Sequence, residues 1–336
     1  MDLPPELRLA LAAELASARP KALARSAGEL SARYRGVASE SAGPFVRTQH
    51  DAAAYAAYRL PATFAAVYAA LAALRDGAPD LRPASLLDVG AGPGTALWAA
   101  VQVWPELRRA TLLERDVTMI VLGQRLAQNA TSQAIREATW RRADVVAGEW
   151  GVEAGDLVVA AYVLGELPPA ERDEVVARLW AHVAGAAVIV EPGTPRGFEV
   201  VRRARALLIA GGGSIAAPCP HDDTCPMPDG DWCHFAQRLT RTPLHRGVKA
   251  ATLSLEDEKF SYVAAARFAV AGRASRVLRH PRTRKGHVVF ELCTPAGLQR
   301  RTVSRKDGAL YRRARDAAWG STLAETGDDE DNDIRR

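Results

Sequence analysis

A glycine-rich turn at residues 88–95, with the sequence Asp-Val-Gly-Ala-Gly-Pro-Gly-Thr, constrains the fold more than any other segment. It directly follows an apolar run at residues 86–89 and directly precedes a helical pattern at residues 95–103. Such a turn ends the first strand of a doubly wound sheet, where glycines let a ligand approach the backbone and the helix N-terminus offers free N–H groups. Its Gly-x-Gly-x-Gly spacing is one residue tighter than the dinucleotide fingerprint, and it lacks the Gly-Lys-Ser/Thr of a P-loop. The segment therefore predicts an α/β fold that binds a ligand at this turn.

The chain around the turn alternates short apolar runs with helical patterns, which is typical of an open parallel sheet with helices on both faces. The predicted strands are residues 86–89, 111–114, 140–146, 156–160 and 187–191. The predicted helices are residues 95–103, a segment through Val121 and Leu126, residues 172–182 and residues 198–209. The predicted fold class is therefore α/β, with a doubly wound, mostly parallel sheet.

Composition and patterning divide the 336 residues into four regions. In chain order these are an N-terminal helical region (1–82), the α/β core (83–213), a cysteine-bearing, basic and strand-rich extension (214–320), and an acidic tail that is predicted to be disordered (321–336). Within the extension, strands are predicted at residues 260–263 and 287–292, on either side of a basic loop at residues 280–286.

The glycine turn resembles the first motif of the S-adenosylmethionine-dependent methyltransferases, whose ligand has no pyrophosphate. The resemblance implies that Gly90 and Gly92 face the methionine part of this cofactor, with Asp88 nearby. Glu114 ends the second predicted strand, where a carboxylate can accept hydrogen bonds from both ribose hydroxyls. Asp144 follows at a later strand end, where it can meet the adenine amine. The predicted cofactor-binding residues are Asp88, Gly90, Gly92, Gly94, Glu114 and Asp144.

The sequence contains no recognisable catalytic constellation for methyl transfer. Amino- and RNA-base methyltransferases often carry an Asn/Asp-Pro-Pro-aromatic motif after the fourth strand, whereas residues 160–168 read Ala-Ala-Tyr-Val-Leu-Gly-Glu-Leu-Pro. Tyr162 and Glu166 are the candidates for contact with a methyl acceptor, and the core lacks the cysteine of carbon-5 RNA methyltransferases. Two interpretations stay open: a fold that only holds the cofactor, and an active rRNA methyltransferase that uses Tyr162 or Glu166.

The four cysteines form a second candidate site. Cys219, Cys225 and Cys233 lie within fifteen residues, and Cys293 lies far downstream. Thiolates bind soft metals and iron–sulfur clusters, but intervals of five, seven and 59 residues are not the paired Cys-x-x-Cys knuckles of a zinc ribbon. The spacing suits a loop that wraps a cluster, with the last ligand supplied from a strand. Zinc in a Cys/His set is the alternative, because two histidines adjoin the first three cysteines.

A net charge of +5 conceals a strongly basic segment. Residues 267–315 contain 14 Lys and Arg residues against two acidic residues, which predicts a surface for a polyanion. The predicted RNA phosphate contacts, whose affinity falls as salt rises, are Arg279, Arg282, Arg284, Lys285, Arg300, Arg301, Arg305 and Lys306. His280 and Tyr311 are predicted to stack on unpaired bases. A small-molecule methyltransferase with a structural zinc is a further alternative, but a small substrate needs no such basic surface.

Compartment and membrane contact are predicted from what the sequence lacks. No apolar run approaches the roughly 20 residues of a membrane span, and the N-terminus does not resemble a signal peptide. Four cysteines are too few for a disulfide scaffold in a chain of this length. We therefore expect a cytoplasmic protein with reduced thiols and no membrane partner.

Several motifs occur in an order that resembles one family. They are residues 58–63 (Tyr-Arg-Leu-Pro-Ala-Thr), the glycine turn, residues 191–198 (Glu-Pro-Gly-Thr-Pro-Arg-Gly-Phe), the Cys-Pro-His-x-x-x-Cys-Pro and Asp-Trp-Cys-His segments, and residues 292–295 (Leu-Cys-Thr-Pro). Together they resemble the Rsm22 family, the methyltransferase-like proteins of the mitochondrial ribosomal small subunit and their bacterial relatives.

Membership of this family implies association with the small ribosomal subunit or its precursor, contact with 16S-type rRNA, and a role in assembly. It also implies a [4Fe–4S] site at Cys219, Cys225, Cys233 and Cys293. Such a cluster would fasten the basic segment to the core and order an RNA-facing surface, rather than perform redox chemistry. The resemblance leaves open whether methyl transfer occurs.

Overall fold

A mixed sheet of eight strands forms the centre of the protein, and a second sheet of five strands follows it in the chain. The structure is a computed structural model that describes residues 1–16, 23, 25–26, 28–29, 48–240 and 255–323. Its helices are α1 (Pro5–Glu14), α2 (Gln49–Tyr58), α3 (Leu60–Gly77), α4 (Thr95–Val103), α5 (Val117–Ala127), α6 (Gln133–Arg136), α7 (Arg172–Ala181), α8 (Pro195–Ala210) and α9 (Gly308–Asp316). Its strands are β1 (Ser85–Val89), β2 (Arg109–Glu114), β3 (Thr139–Arg142), β4 (Gly155–Ala161), β5 (Val183–Pro192), β6 (Ser214–Ala217), β7 (Phe235–Thr240), β8 (Leu255–Ala266), β9 (Ser275–Val277), β10 (Arg282–Arg284), β11 (His287–Thr294), β12 (Gly297–Ser304) and β13 (Thr322–Leu323).

The large sheet has the strand order β3-β2-β1-β4-β5-β8-β6, with β7 also paired to β8. Strands β1 to β5 are parallel to their neighbours, whereas β8 runs antiparallel to β5. A parallel sheet that reverses its order beside β1 and ends in antiparallel strands is the arrangement of the methyltransferase-type α/β fold. The predicted fold class is confirmed.

Helices cover both faces of the large sheet, as the alternating pattern predicts. On one face Leu86 packs with Leu71 of α3 and with other side chains of the first five helices. On the opposite face Leu87 packs with Leu179 of α7 and Val201 of α8. Successive residues of β1 thus enter different helix layers, because side chains alternate along a strand.

The described part of residues 1–82 is mostly helical. Leu7 and Leu11 of α1 are buried, and α3 begins at Leu60 with Pro61 in its first turn, where a missing N–H costs nothing. No single helix among the described residues has the length and apolar composition to cross a membrane, and only the bent pair α2–α3 meets that test together.

The large sheet extends beyond residue 213, where the sequence suggested the core would end. Strands β6, β7 and β8 all belong to it, and the cysteine-rich stretch is the loop between β6 and β7. The strand predicted at residues 260–263 is confirmed, but as part of β8 in the core sheet. The local pattern could not reveal this, because an apolar strand looks the same in either sheet.

Two local predictions need correction. The strand predicted at residues 140–146 ends at Arg142, because the Asp144 side chain accepts the Val146 N–H at 3.0 Å and turns the chain. The basic segment 280–286 is not only a loop, because Arg282–Arg284 pair antiparallel with the start of β11.

In the small sheet, β12 pairs along one edge of β11. Strands β10 and β9 pair with the two ends of its other edge, and β13 pairs with β9. One face packs against α9 through a small core that includes Phe290, Leu292, Val303 and Leu310. The predicted acidic tail begins within this sheet at β13, and its residues from 324 onward lie outside the described part of the chain.

Candidate functional site

The carboxyl ends of β1, β2 and β4 border an open pocket beside the glycine turn. The predicted residues among its lining are Gly90, Gly92, Glu114, Asp144, Tyr162 and Glu166. Gly90 and Gly92 have φ angles of 70° and 54°, a region that residues with side chains rarely adopt. A Cβ added to Gly92 would meet nothing closer than the Tyr55 hydroxyl at 3.9 Å, so this glycine borders space that a ligand can enter.

Glu114 is fixed at the pocket edge by backbone N–H groups. The Gly92 N–H donates to Oε2 and the Asp116 N–H donates to Oε1, both at 2.8 Å. Burial raises the pKa of Glu114, and these two hydrogen bonds oppose the rise. Each carboxylate oxygen has a second lone pair, so Glu114 can still accept hydrogen bonds from two ribose hydroxyls.

Three other predicted cofactor residues occupy different positions. Asp144 lines the pocket and is exposed. Asp88 is buried below the turn, its Oδ2 has no hydrogen-bond partner among the described residues, and burial together with the charge of Glu114 raises its pKa to about 8. Gly94 is the N-cap residue of α4 at φ 78°, and an added Cβ would lie 3.1 Å from Trp140, so this glycine allows close packing and does not line the pocket.

Tyr162 lies directly after β4, where the acceptor motif of many methyltransferases stands, and it forms a partly buried cluster with Arg59 and with Glu258 of β8. The Tyr162 hydroxyl donates to Glu258 Oε1 at 3.0 Å, and Arg59 Nη1 donates to the same oxygen at 2.9 Å. The Arg59 guanidinium also lies 4.5 Å from the centroid of the Tyr162 ring. Burial and the charge of Glu258 raise the pKa of Tyr162 well above its usual value. The Tyr162 hydroxyl is therefore held as a hydrogen-bond donor to Glu258.

Sequence reasoning missed two members of this cluster. Arg59 and Glu258 are 199 positions apart, so no local pattern connects them. Arg59 does lie in the family-like motif at residues 58–63, which was the available signal, whereas Glu258 stands in a strand with no motif around it. Tyr162 itself has a φ of 59°, a strained conformation that such clusters at functional sites often hold.

A second missed carboxyl supports the turn that carries Glu166. Glu191 is buried at the end of β5, and it accepts the Gly165 N–H at 3.1 Å. Burial raises the pKa of Glu191 to about 7. Glu166 is exposed and lines the pocket, so Glu191 positions the pocket wall while Glu166 faces the pocket.

All four cysteines line one cavity. It lies between α8, the loop from β6 to β7, and the small sheet, and its cysteines are Cys219, Cys225, Cys233 and Cys293. Burial and the neighbouring thiolates raise the pKa of Cys293 to about 12, and the same causes raise the pKa of Cys233 well above its usual value. Ionised thiols in this cavity repel one another, so a cationic centre that they share would stabilise them.

In the described ranges, no group of three or more His, Cys, Asp or Glu residues is placed to hold a metal ion, and this includes the four cysteines. Arg205 lies beside Cys219, where its charge opposes the burial that raises the pKa of this thiol. Arg205 also donates to the carbonyl oxygen of His221 at 2.7 Å, so it fixes the loop from α8.

The two histidines of the loop have different surroundings. His221 Nε2 lies 3.6 Å from Cys293 Sγ. The His234 ring instead lies between Trp232 and Trp319, with centroid distances of 5.2 and 4.9 Å. His280, predicted to stack on a base, packs against the same Trp319 at 5.0 Å. We call Trp232, His234, Trp319 and His280 the ring series, because it joins the cysteine loop to the small sheet.

Some of the predicted phosphate contacts are exposed to solvent, and others are half-buried or already hydrogen-bonded to the cysteine loop. The exposed ones are Arg282, Arg284, Lys285, Arg300, Arg305 and Lys306. Arg279 donates to an Asp231 carboxylate oxygen at 2.5 Å and to the Trp232 carbonyl at 3.3 Å, so it fastens the cysteine loop. Arg301 is half-buried, and Tyr311 packs against the core of the small sheet.

Comparison with known sequences gives a family and several relatives. A family model described as "Mitochondrial small ribosomal subunit Rsm22" matches residues 49–324. The human protein named "Ribosome assembly protein METTL17, mitochondrial" is 34% identical over 288 residues, which cover 80% of this chain and 61% of that protein. "Rsm22-cox11 tandem protein 2, mitochondrial" of Schizosaccharomyces pombe is 26% identical over 326 residues, covering 81% of this chain and 43% of that protein. The chain therefore spans less than two thirds of the length of these relatives. Their names place those proteins in mitochondria, and the cytoplasmic location expected for this chain stays a prediction.

Solved methyltransferase structures superpose loosely on the chain. Magnesium protoporphyrin IX methyltransferase from Synechocystis PCC 6803, with bound S-adenosylmethionine, gives a TM-score of 0.40 at 13% identity and covers 72% of this chain and 91% of its own. An O-methyltransferase family protein from Burkholderia thailandensis gives 0.42 at 14% identity, covering 66% of this chain and 61% of its own.

Proposed function

The chain belongs to the Rsm22 family of the mitochondrial small ribosomal subunit, and from this membership we propose that it is a small-subunit assembly factor. In this proposal it binds S-adenosylmethionine in the pocket beside the glycine turn, a [4Fe–4S] cluster in the cysteine cavity, and 16S-type rRNA on its basic C-terminal surface. The observation that carries the proposal is the meeting of four cysteines, distant in sequence, in one cavity between the core and the basic sheet.

Cofactor binding is supported by the chemistry of the pocket. Glu114 offers carboxylate lone pairs at the end of β2, Gly92 borders open space, and Asp144 offers an exposed carboxylate for an amine. We assign the ribose to Glu114 and the adenine to Asp144, with the methionine part beside Gly90 and Gly92.

We favour an iron–sulfur cluster over zinc because the cysteines are separated by five, seven and 59 residues, which are not the paired Cys-x-x-Cys knuckles of a zinc ribbon. His234 is engaged between two tryptophan rings, which argues against its use as a metal ligand. The cluster would crosslink the loop after β6 to strand β11 and so hold the basic sheet against the core.

Methyl transfer is the second candidate function, and the strained backbone of Tyr162 favours it. The Tyr162 hydroxyl is already bound to Glu258, however, and burial raises its pKa, which weighs against a role as general base near neutral pH. Glu166 is the remaining candidate for contact with an acceptor. We therefore propose that the chain binds S-adenosylmethionine, and we keep methyl transfer as the second candidate function.

The proposal is tested by sedimenting anaerobically purified protein with small-subunit precursors and measuring iron, sulfide and labelled S-adenosylmethionine in the same fraction. We expect a brown protein with about four iron atoms per chain that co-sediments with the precursor. Cys293→Ser should lose the iron, and the matched control His234→Phe, next to Cys233, should keep it.

Three results would contradict parts of the proposal. A colourless, zinc-replete protein would favour the zinc alternative. Transfer of label to rRNA that stops on Glu166→Gln would make the chain an active methyltransferase. A protein that carries iron but does not co-sediment would exclude the assembly role.

A further inference from the structure

The register of the small sheet puts four arginines on the same face as Cys293. In an antiparallel pair, directly opposed residues share a face, and so do alternate residues of one strand. Cys293, Glu291, Val289 and His287 therefore share one face of β11, which we call the Cys293 face. Their partners on it are Leu298, Arg300, Thr302 and Ser304 of β12, Arg282 and Arg284 of β10, and Arg276 of β9.

The opposite face is already covered. Val288, Phe290 and Leu292 of β11 are buried there with Leu310 and Ala314 of α9. Arg301 of β12 is opposite Phe290 and so belongs to this covered face. Arg300 and Arg301 are adjacent in the sequence, but they thus lie on opposite faces of the sheet.

The Cys293 face is covered at one end and open at the other. At the covered end Arg276 is buried and donates to the Pro218 carbonyl at 3.0 Å, beside the cysteine loop. At the open end Arg282, Arg284 and Arg300 are exposed. Glu291 forms an exposed ion pair with Arg282 at 3.2 Å, which contributes little energy in water and so does not prevent Arg282 from binding another anion.

We propose that the open end of the Cys293 face is the surface that binds the phosphate backbone of rRNA, through Arg282, Arg284 and Arg300. The inference rests on the proposed small-subunit role and deepens it. Arginine forks bind phosphate oxygens bidentately, and three of them on one pleated face can follow a strand of phosphates. The cysteine cavity and the RNA then share one face of one sheet, and the arginines of α9 on the covered side take no part.

Two triple variants of equal charge change provide the test. One replaces Arg282, Arg284 and Arg300 with Ala, and the matched control replaces the exposed Arg312, Arg313 and Arg315 of α9 with Ala. Anaerobically purified full-length proteins are titrated against small ribosomal subunits and against protein-free 16S-type rRNA between 50 and 200 mM salt. Iron content and thermal unfolding confirm that each variant is folded.

We expect the sheet variant to bind both probes more weakly and to lower the slope of log K against log salt by about 2 to 3. The α9 variant should keep the wild-type slope. An equal loss in both variants would show that net charge alone matters and would overturn the inference. So would wild-type binding in the sheet variant, because the RNA would then lie elsewhere.

Two other outcomes separate the inference from its premise. If the sheet variant loses only the subunit and still binds protein-free rRNA, the Cys293 face docks a ribosomal protein, and the RNA inference is wrong. If the wild-type protein binds neither probe, the proposed function fails, and the inference fails with it.

Discussion

Asp88 and Glu114 are neighbouring carboxyls below the glycine turn whose surroundings give them different roles. Glu114 accepts two backbone N–H groups and faces the pocket. Asp88 is buried, its Oδ2 has no hydrogen-bond partner in the part of the chain that the structure describes, and burial together with the charge of Glu114 raises its pKa to about 8. Asp88 therefore carries a proton at neutral pH, and Glu114 is the carboxyl whose oxygens face the pocket and can accept hydrogen bonds from a ligand.

The raised pKa of Asp88 predicts how stability changes with pH. An unfolded aspartate titrates near pH 4, so between about pH 4 and pH 8 the folded state binds more protons than the unfolded state. The contribution of Asp88 to the free energy of unfolding therefore falls as pH rises through this window. We expect Asp88→Asn to flatten the fall and to be more stable than wild type at pH 8 by at least about 1 kcal/mol.

Urea unfolding at pH 5, 6.5 and 8 measures the effect of Asp88→Asn. The exposed Asp80→Asn, which lies outside the pocket, is the control. A variant at position 88 with the pH dependence of wild type would show that this carboxyl is ionised in the folded protein.

Asp144 gives a second residue-scale prediction, for the proposed cofactor. Loss of a hydrogen bond to a charged acceptor costs about 1.5–3 kcal/mol, so Asp144→Ala should weaken S-adenosylmethionine binding roughly ten- to 100-fold. Glu149→Ala, on the same exposed loop but outside the pocket lining, should bind like wild type. Isothermal titration compares them, and equal affinities would remove Asp144 from the site.

At the scale of elements, the ring series fastens the cysteine loop to the small sheet. Trp232 donates through its indole N–H to the Gly193 carbonyl at 3.0 Å, and Trp319 contacts both His234 and His280. The loop is therefore held by aromatic packing as well as by any shared metal. An aromatic contact of this kind contributes about 0.5–1.5 kcal/mol beyond the area that it buries.

Removing Trp319 should loosen the loop without touching a cysteine. We expect Trp319→Ala to lower the free energy of unfolding by about 2–3 kcal/mol and to speed the loss of visible absorbance under an iron chelator several-fold. The control is Phe268→Ala, which removes an aromatic ring that is 40% exposed and outside the ring series. Equal bleaching rates in the two variants would mean that the cysteines alone hold the loop.

At the scale of the whole molecule, β8 connects the parallel part of the core sheet with strands β6 and β7, which lie beyond it at the sheet edge. It lies between β5 and β6, and β7 pairs along the same edge as β6. The core sheet is therefore complete only when residues 255–266 are in place. A region ending at residue 213 would leave β5 as an exposed, apolar edge strand, which promotes aggregation.

Truncation tests this organisation. A chain ended after residue 213 should be insoluble or unfold without cooperativity, whereas a chain ended after residue 270 keeps all eight strands and should unfold cooperatively. Circular dichroism during heating distinguishes them. Cooperative unfolding of the shorter chain would mean that β8 is dispensable for the core.

Local chemistry made part of this molecule predictable. The glycine turn, Glu114 and the alternation of strands and helices are short-range signals, and the structure brings Gly90, Gly92, Glu114 and Asp144 to one pocket. The pairing of Arg59 with Glu258 depends on tertiary packing across 199 positions. The separation of Arg300 from Arg301 depends on strand register, which composition does not encode. The features that could not be predicted from the sequence are therefore those that depend on contacts between distant elements.

The distribution of the cysteines also has a consequence for biogenesis. Cys293 is added 60 residues after Cys233, which is about 3–12 s later at translation rates of roughly 5–20 residues per second. If these cysteines hold the proposed cluster, a nascent chain can present three thiols early but cannot close the site until β8 and β11 have been synthesised. Cluster insertion would then occur after the core sheet has all its strands, so a prematurely terminated chain would never mature into the cluster-bearing form.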